Sequence, residues 1–284
     1  MEGYIHLNRV IEYAIKRTGA KAIGYIWDDN FTYKQSKNFW YIVHRFFQRR
    51  SLKRLVKNSQ EFFAISPMTK SEADEFFGIN CTLLTKPINR TPVVEYGQPP
   101  QTLHVLYTGN LFIGRDETLL KVVNAAKKLP KGKFFFDVYA NSNLSGEFLE
   151  KIDPDICCIH PPIPQSEVWE KQRQADILLF IEDINGPHAK TARLSFSTKI
   201  TDYLSAGKCI LAVGNTETAP MKYFTDNEAA LVAGSEEEIY HALLRICEEH
   251  EVIVKYAENA AKAGIKNHNK EDIQKTFDEV LNRV

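Results

Sequence analysis

The chain has 284 residues, 44% of them hydrophobic and 25% charged, which is enough apolar material for one large core or two ordinary ones and excludes a disordered chain. Its 36 Lys and Arg balance 36 Asp and Glu, so the net field attracts neither nucleic acid nor anionic lipid in general, and any such binding must be local. No apolar run approaches the length of a bilayer span and the N-terminus lacks a basic-then-apolar signal pattern, so a cytoplasmic protein is expected.

Gly3 to Thr18 places Leu7, Val10, Ile11, Ala14 and Ile15 on one helical face, with Gly19 as its stop. A strand is expected over 22–27, then a polar loop, a long helix over about 38–57 and a strand over 61–65. Ser66 opens the next helix with Pro67 at its first position, and a short strand follows near 82–84. The stretch NRTPVVEYGQPPQT, 89–102, carries three prolines and predicts an interdomain linker. From residue 103 short β-rich runs alternate with amphipathic helices. The strands are LHVLYTG, KFFFDVYA, ICCIH, DILLFI, CILAVG and AALVA, and Ser235 with Glu238 has the spacing of a capping box. Such alternation predicts a parallel, doubly wound α/β sheet. The first block, 1–88, offers only three strands and is therefore expected to be an incomplete layer.

Two stretches carry the candidate chemistry. In SFSTKITDYLSAGKCILAVG, 195–214, Ser197 is the expected N-cap of a helix starting at Thr198. Free first-turn amides, the helix dipole and Lys199 would then face an anion, while Asp202, one turn in, can accept hydrogen bonds from a ribose diol. The bland reading is an ordinary capped helix with an exposed Lys199–Asp202 pair. In YTGNLFIGRDETLL, 107–120, a strand runs into Gly109, and Arg115 stands at the mouth of the next helix, where its planar fork suits a diphosphate. The spacing imitates a P-loop but fails as one, since Arg115 and Asp116 replace the lysine and the hydroxyl residue. No G-x-G-x-x-G dinucleotide fingerprint occurs.

Other features admit two readings. The helix around FWYIVHRFFQRRSLKRLVK, 39–57, is expected to set Phe39, Ile42, Val43, Phe46 and Phe47 on one side and the rows Arg45, Arg49, Lys53 and Arg50, Arg54, Lys57 on the other. It either packs on its sheet with a solvated charged face or lies on a membrane surface. Asp28 and Asp29 read as turn residues. His104, His160 and His188 show no metal spacing. Cys81, Cys157, Cys158, Cys209 and Cys247 are odd in number and show no C-x-x-C, so reduced thiols with neither a disulfide nor a metal are expected.

Together the two stretches resemble the donor-binding domain of retaining GT-B-fold glycosyltransferases. That family's G-R-L-x-x-x-K-G is matched by Gly109, Asn110, Leu111 and Arg115. Its E-x7-E leading into A-x-G-x-P is matched by Leu194, then Asp202, Ser205, Gly207 and Cys209, with a Ser-x-Lys variant at Lys199 like that of capsule-type relatives. QADILLF, 174–180, is similar to the strand before the donor loop, and FFAISPMTKSEADEFFG, beginning at Phe62, to a strand and helix of the first domain. The departures are Asn110 for an arginine, Leu194 for a glutamate, Cys209 for a proline, and Trp27 or Asp28 where relatives keep a histidine.

The resemblance implies two Rossmann-like domains. These are a partial acceptor-side domain over 1–88 and, after the 89–102 linker, a nucleotide-sugar domain over 103–268, with a C-terminal helix over 269–284 packing back on the first. It implies Arg115 and Lys199 on the donor diphosphate, Asp202 on the ribose, assistance from Gly109, Asn110, Ser197 and Thr198, and a sugar bordered by the loop 182–194. The donor would be a UDP-, GDP- or ADP-sugar, bound without a metal or other cofactor. The acceptor would be a saccharide or lipid-linked, in surface-polysaccharide or glycolipid assembly at the inner face of the membrane. The alternatives are a non-catalytic sugar-nucleotide-binding module and an epimerase of the same fold.

Overall fold

The structure is a computed structural model and describes residues 3–29, 31–32, 38–98, 100–140 and 144–284. Its contacts divide the chain into two compact units. One holds 1–86, 191–196 and 271–284; the other holds 87–190 and 197–270.

The first unit contains α1 (Gly3–Thr18), β1 (Ile23–Ile26), α2 (Phe39–Lys57), β2 (Glu61–Ala64), α3 (Pro67–Phe77) and β3 (Thr82–Leu83). The strands form one parallel sheet in the order β1-β2-β3. Ser66 caps α3 by accepting from the Thr69 amide at 3.1 Å, and Gly78 ends it at φ +69°, a conformation glycine adopts without steric cost. Phe31, Phe62, Ala64, Ala73 and Cys81 form the core together with Leu194, whose side chain is fully buried.

The segment 191–196 is tied down by polar bonds as well. Arg193 pairs with Glu72 at 2.6 Å and lies 3.8 Å from Asp29, Ser195 Oγ donates to Asp28 at 2.6 Å, and Thr69 Oγ1 donates to the Leu194 carbonyl at 3.1 Å. Asp28 and Asp29 thus anchor a remote segment, a role beyond the expected turn. The last helix of the chain adds Phe277, which stacks on Phe63 with ring centroids 5.8 Å apart.

Helix α2 corrects the expected arrangement of faces. Arg45, Gln48 and Ser51 are buried, whereas Phe39, Trp40, Ile42, Phe46 and Phe47 are exposed. The exposed cations Arg50, Lys53, Arg54 and Lys57 lie on the same side as these rings. The cause is helical geometry: seven residues are nearly two turns, so Phe46 aligns with Lys53 and Val43 with Arg50. The aromatic half and the cationic half follow one another along one stripe. They do not oppose each other across the helix.

The second unit runs β4 (Leu103–Gly109), α4 (Arg115–Ala126), β5 (Phe134–Ala140), α5 (Gly146–Lys151), β6 (Cys157–His160), α6 (Gln165–Gln174), β7 (Ile177–Ile181), α7 (Pro187–Thr191), α8 (Lys199–Ala206), β8 (Cys209–Val213), α9 (Ala219–Asp226), β9 (Leu231–Ala233), α10 (Glu236–Glu248) and α11 (His250–Asn267), with α12 (Lys270–Arg283) belonging to the first unit. Its six strands are all parallel in the order β6-β5-β4-β7-β8-β9. Every residue of β7 and β8 is buried, as central strands covered on both faces require. Helices α7 and α11 have no counterpart in the sequence expectation.

The described residues of 89–102 form no helix or strand, but they are held against the second unit. The Tyr96 hydroxyl donates to the Asp176 carbonyl at 2.9 Å and accepts from the Cys209 amide at 2.7 Å, while Arg173 donates to the Val93 carbonyl at 2.6 Å. Gly207, at φ +68°, lets that strand of chain approach, since a Cβ there would collide with the Val93 carbonyl.

Candidate functional site

The strand order of the second unit reverses between β4 and β7. The connections that leave β4 and β7 run toward opposite edges of the sheet, leaving a crevice beyond the strands' carboxyl ends. Gly109 ends β4, a loop with two left-handed residues (Ile113 at φ 59° and Gly114 at φ 78°) leads to Arg115, and Glu182 follows directly on β7.

The guanidinium of Arg115 meets Glu182 in a two-point pair, Nε to Oε2 at 3.0 Å and Nη2 to Oε1 at 2.9 Å; the two side chains are 15% and 14% exposed. Its remaining nitrogen, Nη1, donates to Asn110 Oδ1 at 2.6 Å. Lys199 reaches the same place from α8. Its Nζ donates to the Tyr107 hydroxyl at 3.3 Å, lies 4.6 Å from that ring's centroid, and passes over Gly109, where any Cβ would collide with it. Gly109 sits at φ +144°, so both its backbone conformation and the ammonium above it exclude a side chain. The buried Tyr107 hydroxyl donates in turn to the Asn110 carbonyl.

The electrostatics follow from this crowding. Burial, and then the charge of Arg115, push the Lys199 ammonium down from 10.5 to about 8, against the opposing pull of Glu182. Burial raises the Glu182 carboxyl, while Arg115 and Lys199 resist. The cluster therefore holds two cations and one anion in a partly water-excluded crevice, which is a seat for an anion that can compete with the glutamate.

Arg115, Lys199, Gly109 and Asn110 are thus brought together. Thr198 and Ser197 precede Lys199, but the expected cap is corrected: α8 begins at Lys199 with Thr198 at the N-cap, in helical conformation and without a side-chain cap bond. The Ser197 carbonyl accepts from the Ile200 amide at 3.1 Å, tightening the first turn so that Thr198 is already helical, and Ser197 Oγ reaches the Lys199 amide only at 3.4 Å. Asp202, half-buried one turn on, accepts from Asn89 Nδ2 at 3.3 Å.

The loop after Glu182 is fixed by Asp183, whose carboxylate accepts from the amides of Gly186, His188 and Ala189 at 2.7, 3.0 and 3.2 Å. Between this loop and Gly114 lies a cavity of 430 Å³ whose wall includes Asp116, Glu117, Asp183 and His188. Among the described residues no group of three or more His, Cys, Asp or Glu is arranged to hold a metal ion. Sequence reasoning missed Glu182 as the partner of Arg115 and Tyr107 as the rest for Lys199. Their only sequence signal is position, at or just past the carboxyl ends of adjacent strands.

No protein-family model matches the sequence, and neither does any curated protein. Solved structures do. Anabaena HepE in complex with UDP superposes with a TM-score of 0.72 at 12% identity, over 98% of this chain and 77% of that one. Staphylococcus aureus TarM, in a complex containing UDP, gives 0.67 at 10% identity over 93% of this chain and 51% of that one, so the chain spans about half of TarM's length. The pneumococcal O-GlcNAc transferase GtfA, in complex with UDP and GlcNAc, gives 0.64 at 13% identity over 96% and 54%. These likenesses identify the fold as the GT-B glycosyltransferase fold, with two Rossmann-like units of which the N-terminal one is incomplete.

Proposed function

We propose that this chain binds a nucleoside-diphosphate sugar at Arg115 and Lys199 and transfers the sugar to a saccharide or lipid-linked acceptor. The observation that carries the proposal is that Lys199 stands over Gly109 while Arg115 bonds the adjacent Asn110, close enough for its charge to act on the ammonium, at the carboxyl end of β4 where the strand order reverses. An anion placed there would be held by a planar fork, a point charge and the first-turn amides of α8.

Glycosyl transfer releases a nucleoside diphosphate, on which negative charge grows as the sugar bond breaks. Preorganised cations in a poorly hydrated crevice stabilise that growth without a divalent ion. Asp202 lies one turn inside α8, where a carboxylate can accept from ribose hydroxyls. The cavity walled by Asp116, Glu117 and Asp183 is unsuited to phosphate but suits a neutral, hydroxyl-rich sugar. UDP is the favoured nucleotide because HepE, TarM and GtfA are all seen with it. Retention of anomeric configuration is included on the strength of the motif resemblance.

Thermal shifts of the intact chain with UDP, GDP, ADP and their sugars test the binding step. A ligand at 100 times its dissociation constant adds about 2.7 kcal/mol. UDP and UDP-sugars are expected to raise the melting temperature, and Arg115→Ala and Lys199→Ala to abolish the rise. A shift that survives both changes would place the nucleotide elsewhere. Release of UDP from a UDP-sugar, with or without an acceptor glycan, then tests transfer.

A further inference from the structure

Helix α2 wears its polarity inside out. It buries Arg45 (7% exposed), Gln48 (2%) and Ser51 (4%), with Arg45 donating to Gln48 at 2.8 Å, and turns Trp40 (76%), Phe39 (68%) and Phe46 (59%) outward. Ile42 and Phe47 are exposed beside them, and α1 adds exposed Leu7, Val10 and Tyr13. So much apolar surface facing water is costly and marks a contact surface. No helix among the described residues is long and apolar enough to cross a membrane.

The charge of the same face says what it contacts. Residues 39–57 include six Lys or Arg and no Asp or Glu, in a chain whose charges balance overall. Arg50, Lys53, Arg54 and Lys57 continue the exposed stripe begun by the rings, and Arg50, Lys53 and Lys57 form no ion pair with a described residue. Between Phe46 and Phe76 a groove of 520 Å³ is edged by these cations, and Lys53 Nζ sits 4.8 Å from the Phe76 ring centroid. Rings at one end of a stripe and ammonium and guanidinium groups at the other, with no carboxylate on the helix itself, complement a surface that is apolar beneath and anionic above.

We infer that this face of α2 docks the protein on an anionic lipid surface. The aromatic half enters the boundary between headgroups and acyl chains, and the cationic half meets lipid phosphates. The inference rests on the first unit alone and is independent of the proposed donor site.

Co-sedimentation of the full 284-residue chain with vesicles tests it, using phosphatidylcholine alone and an equimolar mixture with phosphatidylglycerol. Binding is expected to the mixed vesicles only and to weaken steeply with added salt. Arg50→Glu with Arg54→Glu should reduce it about tenfold or more. Phe46→Ser with Phe47→Ser should also reduce it while leaving the salt dependence in place. All four side chains are exposed, so both double variants should melt like the parent, and the salt series provides a readout needing no variant at all. Equal binding to neutral vesicles, or none to either, overturns the inference. So does a concentration-dependent dimer that Phe46→Ser with Phe47→Ser abolishes, which would make a second copy the occupant.

Discussion

Glu182 holds Arg115 by two nitrogens, at 3.0 and 2.9 Å, although 67 residues separate them in the chain. The pair spans the two strands between which the sheet order reverses. An internal carboxylate therefore holds the guanidinium that the proposed diphosphate needs. Glu182→Gln should lower stability by about 2–3 kcal/mol, because it leaves a partly buried charge without its partner. UDP should then stabilise the variant more than it stabilises the parent, since the diphosphate replaces the missing anion. Chemical denaturation with and without UDP reads both effects, and a smaller gain in the variant would mean that Glu182 only orients the arginine.

Lys199 gives a pH signature. Its ammonium is held down at about 8, below the ordinary 10.5, chiefly by burial. A depressed lysine penalises the folded state while it is charged. The penalty is present below pH 8 and is relieved as pH rises from 8 to 10.5, so stability gains from this residue over that window. Anion binding has the opposite sense because only the protonated form attracts phosphate. Affinity for UDP should be level below about pH 8 and fall as pH rises through it, approaching tenfold per unit. Lys199→Arg should flatten the profile, and titration calorimetry across pH 7 to 10 measures it.

Gly109→Ala is expected to be harmful for a stated reason. At φ +144° the new methyl meets Lys199 Nζ, so the ammonium must move or the strand end must shift. A loss of about 1–3 kcal/mol in stability and about tenfold or more in UDP affinity should result, measured by denaturation and calorimetry. Gly132→Ala is the control, since Gly132 also has positive φ but no atom stands where its Cβ would go. It should cost stability alone.

Asp183→Ala removes the acceptor for three loop amides. A cost of about 2 kcal/mol is expected, together with faster proteolysis between 184 and 190, read by limited digestion and mass spectrometry. UDP should not restore protection if the loop serves the sugar and not the diphosphate, whereas a UDP-sugar should.

The alternation of strands and helices from residue 103 onward was legible because each strand is a short apolar run with a polar helix behind it, and that placed Gly109, Arg115 and Lys199 at loop mouths. The neighbours of those residues were not legible. Glu182 meets Arg115 only because β7 pairs with β4, a fact of strand order that no local pattern encodes. The start of α8 lay one residue beyond its expected place, since Ser197 and Thr198 are equally good caps and only a tightened first turn chooses between them. The faces of α2 were misassigned because its cations and rings look opposed when grouped by type but coincide when wound at 100° per residue. Leu194 and Arg193 read as loop residues, and only tertiary packing makes one a core side chain and the other a clamp on Glu72 and Asp29.

The hexapeptide Thr191–Phe196 also bears on how this molecule can be dissected. It is covalently embedded in the stretch that builds the second unit, yet Leu194 is buried in the core of the first. A gene fragment encoding 87–270 would carry the Leu194 side chain into water, and one encoding 1–86 would leave a hole where it belongs. Neither half can be cloned out cleanly at the boundary near residue 86, so tolerated circular permutants should have their new termini elsewhere, at exposed loop tips inside a single unit.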